Sequence, residues 1–177
     1  IYIYYSPLRY PGGKAKLASF MEYMIDERGH RGGTYIEPFA GGAGVAIELL
    51  QKGVVNKIVI NDYDKGIWSF WKSILTETNR FVEAVRTVPL TIEEWNRQRD
   101  ICLNYNKKYS FELGFATFYL NRTNRSGIIK GGVIGGLNQS GKWKIDARFN
   151  RENLIKRITN IAERKKDIYL YNKDIKS

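Results

Sequence analysis

One order of segments constrains this fold more than any other feature. Thr34-Tyr35-Ile36 is a short run of strand formers that feeds directly into Glu37-Pro38-Phe39-Ala40-Gly41-Gly42-Ala43-Gly44. Residues 45–52 then carry apolar side chains at helical spacing as far as Gly53, and residues 54–61 form a second apolar run that closes on Asp62. Strand, glycine turn, helix, strand and acid describe a βαβ unit with parallel strands. A helix that follows a glycine turn offers unbonded backbone amides, and glycines let a ligand lie against the chain because no Cβ intervenes. Asp62 stands 20 residues after Gly42. From the end of a second strand, a carboxylate accepts hydrogen bonds from both hydroxyls of a ribose.

Several nucleoside ligands use such a turn. A dinucleotide turn calls for a third glycine, whereas Gly44 is followed by Val45, Ala46 and Ile47. A phosphate-binding Gly-Lys-Ser/Thr loop is not met either, because Ala15 follows Gly13-Lys14, and that segment precedes the first strand. S-adenosylmethionine carries no phosphate, so the bulky Pro38-Phe39 beside the turn is compatible with it. The remaining alternative is a turn that serves only the packing of the chain.

Outside this unit the periodicity predicts mostly helices. Leu17, Phe20, Met21, Met24 and Ile25 mark one over residues 16–27, and Ile67, Trp68, Phe70, Trp71, Ile74 and Leu75 mark another with a wide aromatic face. Residues 80–120 read as further helices, with Thr91 and Glu94 spaced as a capping box and residues 115–120 as a helix ending at Asn121. Residues 121–148 are rich in Gly, Asn, Arg, Lys and Ser, which predicts loops and a hairpin. Leu154, Ile155, Ile158, Ile161 and Ala162 predict one more helix, and residues 168–171 a strand.

The net charge of +11 is concentrated. Residues 121–177 hold 14 Lys and Arg against 5 Asp and Glu, whereas residues 76–120 hold 6 of each sign. A basic block of this kind favours a polyanion, and no basic amphipathic helix points to a membrane surface instead. No run is long and apolar enough to span a bilayer. The single cysteine, Cys102, gives no internal disulfide and fits a reducing cytoplasm, and one His with one Cys makes a structural zinc site an unpromising reading.

The wording of the segments resembles the Dam-type adenine-N6 DNA methyltransferases. Pro7-Leu8-Arg9-Tyr10-Pro11-Gly12-Gly13-Lys14 is similar to the N-terminal cofactor segment of that family. The resemblance implies that Tyr10 stacks near S-adenosylmethionine and that Gly13 and Lys14 approach it. Glu37, Pro38, Phe39, Ala40, Gly41 and Gly42 match the segment that wraps the methionine moiety. Asn61-Asp62 matches the ribose-binding acid, with Tyr63 beside it, and residues 168–174 resemble the strand whose end, at Asp174, nears the adenine. The implied fold is α/β, a partial Rossmann-like methyltransferase sheet with an inserted helical and loop-rich target-recognition subdomain. On that reading residues 1–75 belong to the cofactor domain, 76–160 form the DNA-binding insertion, and 161–177 return to the sheet.

Phe118-Tyr119-Leu120-Asn121-Arg122-Thr123-Asn124-Arg125-Ser126-Gly127 resembles the lead into the DNA-reading loop of the family, and residues 141–150 resemble its continuation. Arg and Asn read guanine and adenine edges, Lys and Arg hold phosphates, and a flat aromatic can fill the gap left by an extruded base. The candidate DNA contacts are Asn121, Arg122, Thr123, Asn124, Arg125 and Ser126, with Lys142, Lys144 and Arg148; Trp143 is open between core and interface.

The catalytic Asp-Pro-Pro-Tyr segment of the family is absent from these residues, whose prolines are Pro7, Pro11, Pro38 and Pro89. The expectation is a piece of a longer enzyme that stops short of the motif and is inactive alone. One half of a split enzyme and a non-catalytic DNA-binding module are the alternatives. Duplex DNA, a restriction endonuclease, and a second chain or C-terminal segment carrying the motif are the implied partners.

Overall fold

The computed structural model describes residues 5–9, 15–105 and 108–176. Three parallel strands, β1 (Thr34–Glu37), β2 (Lys57–Asn61) and β3 (Ile168–Tyr171), form one sheet in the order β1-β2-β3. Ile36 lies beside Val59 and Val59 beside Tyr169, so the two registers join one row across the sheet. Helix α1 (Ala15–Glu27) precedes β1, and α2 (Gly44–Gln51) connects β1 to β2. Five helices separate β2 from β3: α3 (Lys65–Thr76), α4 (Thr78–Thr87), α5 (Ile92–Leu103), α6 (Phe111–Thr123) and α7 (Arg151–Glu163).

Local chemistry sets the helix starts. Asp64, Ser110 and Asn150 each accept a backbone N–H three residues on, at 2.9, 3.1 and 2.9 Å, which satisfies a donor the helix itself leaves free. Thr91 caps α5 through Glu94 N at 3.2 Å, but the Glu94 carboxylate turns to Arg97 and to Gln98 instead of returning to Thr91. Helix α2 has no such cap. Its amide at Ala46 donates instead to the buried Glu37 carboxylate at 3.3 Å, an anion placed where the helix dipole favours it.

One apolar core runs from α2 through the sheet to α7. Phe70 of α3 stacks on Phe118 of α6 at 5.9 Å, and Phe81 of α4 meets both edge-on. Gly114 makes that packing possible: a Cβ there would lie 2.5 Å from the carbonyl oxygen of Ser69, so α3 and α6 touch backbone to backbone.

Two readings of the sequence are corrected. Strand β2 begins at Lys57 rather than Val54, because Val54 and Val55 are buried in the turn that precedes it. Helix α6 runs on to Thr123, and the expected hairpin after it is reduced to one antiparallel bridge, Asn124 to Val133. No helix among the described residues is long and apolar enough to cross a membrane.

Candidate cofactor cradle and nucleic-acid surface

The carboxyl ends of the three strands converge on the glycine turn. Asp62 leaves β2 and accepts the Gly41 N–H through Oδ2 at 2.8 Å and the Asp64 N–H through Oδ1 at 2.9 Å. Each carboxylate oxygen therefore keeps a lone pair for a further donor. The turn itself is tightly wound. Gly41 and Ala43 have φ of 48° and 44°, and Ala43 N–H donates to Ala40 O at 2.6 Å. A left-handed alanine is uncommon and costs on the order of 1 kcal/mol. The turn is held from below by Trp71, whose indole donates to Gly41 O at 2.8 Å, and from the side by the Ser6 hydroxyl on Gly42 O.

Two asparagines lock the strand ends together. Asn61 donates to Pro38 O and Lys173 O, both at 3.1 Å, and accepts Lys173 N–H at 2.9 Å. Asn172 donates to Asp62 O at 2.7 Å and Tyr63 O at 3.0 Å. Phe39 and Tyr63 stand about the turn, 73% and 68% exposed. The site offers an acid, a tight backbone turn and an aromatic rim. Those features suit a nucleoside with a ribose and a flat base.

The N-terminal arm joins this cradle to the basic part of the chain. Asn121 clamps Arg9, accepting its N–H at 2.6 Å and donating to its carbonyl at 2.9 Å, and it also donates to Gly127 O at 3.0 Å. Arg122 donates to Pro7 O at 2.7 Å and to Arg148 O at 3.2 Å. Burial, then the charges of Arg157, Arg9 and Arg148, push the Arg122 guanidinium down to about 9. Arg157 donates to Ser6 O at 3.0 Å and Arg9 to Asn124 O at 3.0 Å, so four guanidinium groups gather around one stretch of arm.

Sequence comparison decides what this architecture belongs to. A family model, D12 class N6 adenine-specific DNA methyltransferase, matches residues 10–177. The chain belongs to that methyltransferase family. It is also similar to the Type II methyltransferase M.MjaIII of Methanocaldococcus jannaschii, 27% identical over 160 residues that cover 83% of this chain and 55% of the relative. The chain thus spans about half the length of the curated relative it matches.

Set on this D12 methyltransferase chain, the expected cofactor residues divide into three groups. Tyr10, Gly13 and Lys14 lie outside the described residues. Pro38, Phe39, Gly41, Asp62 and Tyr63 are gathered at the strand ends, and Asp174 is carried on the exposed segment that Asn61 holds at Lys173. Glu37, Ala40 and Gly42 are buried behind the turn, Glu37 on the amide of Ala46.

The expected DNA residues divide more sharply. Asn121, Arg122, Thr123 and Asn124 are buried, so the segment is not a solvent-facing loop as a whole. Thr123 bonds back to Tyr119 O at 2.8 Å, and Asn124 takes the Trp95 indole N–H at 2.7 Å while donating to Ile128 O and Ile129 O. Polar side chains at the end of a helix buried on all sides must find internal partners, and these did. Arg125, Ser126, Lys142, Lys144 and Arg148 are exposed, as is Trp143.

Reading the residues alone missed Ser6, Trp71 and Asn172, and gave Asn61 only as the neighbour of the ribose-binding acid. Trp71 was legible only as part of an apolar stripe, yet a buried indole N–H needs an acceptor, and that requirement is the signal. Asn61 and Asn172, polar residues just at strand ends, carry the same hint.

Proposed function

We propose that this chain serves methyl transfer from S-adenosylmethionine to adenine N6 in duplex DNA, supplying the cofactor cradle and a DNA-facing surface. The observation that carries the reading is the 2.8 Å bond between the Asp62 carboxylate and the Gly41 turn, at the carboxyl ends of parallel strands. It sits in a chain of the D12 methyltransferase family. The residues fit the cofactor: Asp62 retains acceptor capacity for the ribose hydroxyls, the turn is bare of side chains at Gly41, and Phe39 and Tyr63 offer apolar surface for the base. S-adenosylmethionine, when bound, supplies an electrophilic methyl group on a sulfonium.

The described residues bind and orient. Asp62 fixes the ribose, and Trp71 and Asn61 hold the turn that receives it. Residues 1–75 and 161–177 form the cofactor part and residues 76–160 the target-recognition part. Although that second part shares the core of the first, its exposed cations lie at Arg125, Lys142, Lys144 and Arg148. Asn121, Arg122, Thr123 and Asn124 act behind them by holding the N-terminal arm. The residues that would polarise the adenine amino group, an Asp-Pro-Pro-Tyr segment, are not in this sequence. The 177 residues alone therefore bind cofactor and DNA without turnover.

The test is methyl transfer by the protein expressed from its intact gene, with methyl-labelled S-adenosylmethionine and duplex DNA. Label recovered in N6-methyladenine supports the reading. Label in cytosine, or in a small molecule and not DNA, overturns it. Association with a restriction endonuclease is part of the same proposal, and co-purification from the source cell checks it.

A further inference from the structure

Residues 133–145 are irregular yet heavily braced. Val133 and Ile145 anchor the two ends in the core. Between them Gln139 holds a left-handed φ of 50°, which costs a residue with a side chain on the order of 1 kcal/mol. Its amide offsets that cost. Nε2 donates to Ile134 O at 2.7 Å and Gly136 O at 2.8 Å, and Oε1 accepts the Ile145 N–H at 2.9 Å. The Gln139 carbonyl also receives Lys144 Nζ at 2.5 Å. Gly135 and Gly141 lie back to back. A Cβ on Gly141 would stand 2.9 Å from Gly135 Cα, and one on Gly135 would stand 2.7 Å from the Trp143 carbonyl oxygen. One side chain therefore ties the entry, tip and exit of the loop.

This brace displays apolar groups to water. Leu137 is 63% exposed and Trp143 66%, while Trp71 and Trp95 are buried. Lys142 Nζ lies 5.6 Å from the Trp143 ring centroid, and Lys130 and Lys144 are exposed nearby in the chain. No acidic residue occurs from Leu113 to Ile145. A rigid apolar tip among cations, with no anion in its own segment, matches a partner with an anionic exterior and an apolar interior. Duplex DNA is such a partner, and apolar side chains on rigid supports enter its grooves and wedge between base steps.

We infer that residues 133–145 are a preorganised wedge. Trp143 and Leu137 press against a base step, Lys142 and Lys144 hold the flanking phosphates, and Gln139 is the positioning residue. This rests on the DNA-binding reading above and adds which side chains meet the bases and what holds them there.

The experiment is a titration of the chain with a short fluorescein-labelled duplex at several salt concentrations, combined with acrylamide quenching of tryptophan emission. Trp68 is half-buried and also quenchable, so the Trp143 component is the part of the quenching that Trp143→Ala removes, and DNA should shield that part. Trp143→Ala should weaken binding about tenfold with the salt slope unchanged, whereas Lys142→Ala with Lys144→Ala should flatten the slope. Gln139→Ala and Gln139→Glu, both of which remove the two amide donors, should reproduce the loss and leave Trp143 quenchable in the complex, with circular dichroism unchanged. If the duplex binds but Trp143 stays quenchable and Trp143→Ala binds equally well, the wedge is wrong and the DNA reading survives. If no duplex binds to the unsubstituted chain, both fall. Should the Gln139 variants fail to fold, the Trp143 variants decide alone.

Discussion

The proposed cofactor cradle and the basic stretch that begins in the last turn of α6 use the same polar residue types to opposite ends. In the cradle, a strand end and a tight glycine turn bring Asp62 and Gly41 together, and the side chains of Trp71, Asn61 and Asn172 then brace what the backbone has already placed. In the basic segment, side chains do the positioning, and Asn121, Arg122 and Asn124 spend their donors inside the protein. A site made of backbone geometry is written in local spacing. A site made of side-chain choices is written in tertiary contacts, which charge and composition do not report.

The largest expected effect is on the cradle side. On the proposed reading Asp62→Ala removes an acceptor for both ribose hydroxyls, each such bond to a charged group contributing about 1.5–3 kcal/mol. Cofactor affinity should fall by at least about a hundredfold in a calorimetric titration, with DNA affinity unchanged. A loss of DNA binding in the same variant would show that the two regions are coupled, and would blur the contrast.

Asn121→Ala tests the other side. It deletes a buried side chain that makes three hydrogen bonds to Arg9 and Gly127. The chain should lose about 2–3 kcal/mol in urea unfolding, since buried partners are left unpaired. If stability holds and only DNA affinity drops, Asn121 is an interface residue and its inward bonds are incidental.

Arg125→Ala should do the reverse. Its side chain is exposed, so stability should stay within about 0.5 kcal/mol. DNA affinity should fall a few-fold and the salt slope by roughly 0.9, the value of one phosphate contact. A salt slope identical to that of the parent would remove Arg125 from the interface.

Cys102, on α5 and in neither region, gives the smallest effect and a control for both. Burial pushes its thiol up to about 11 from 9.0. The folded state holds the proton more tightly, so the small stabilisation this gives is intact below pH 9 and fades as pH rises toward 11. Alkylation of the native chain should be slow at pH 8 and climb up to about pH 11, whereas in urea it should titrate near the ordinary thiol range. Equal rates in both states would mean that the packing of α5 on α6, where Thr117 meets the thiol, does not cover it.

The same contrast explains what could be read before the structure. The βαβ order, the acid after β2 and the aromatic face of α3 follow from periodicity and turn residues, which act over a few positions. The start of β2 did not, because Val54 and Val55 are apolar for the sake of a buried turn. Nor did the end of α6. Asn121, Arg122 and Thr123 look like a polar loop, and they remain helical because the N-terminal arm, more than a hundred positions earlier, supplies acceptors and donors for two of them. Trp143 could have been core or surface on sequence alone. Its exposure follows from the Gln139 brace and the glycine contacts beneath it, which no spacing rule predicts.

The central claim is that the strand-end cradle holds S-adenosylmethionine. Calorimetric titration of the chain with S-adenosylmethionine, then with a dinucleotide such as NAD, tests it most directly. The account predicts one-to-one binding of S-adenosylmethionine, displaced by S-adenosylhomocysteine, and no heat with the dinucleotide. Duplex DNA bound normally while S-adenosylmethionine gives no heat would contradict it, and would make the chain a DNA-binding module whose glycine turn serves only its own packing.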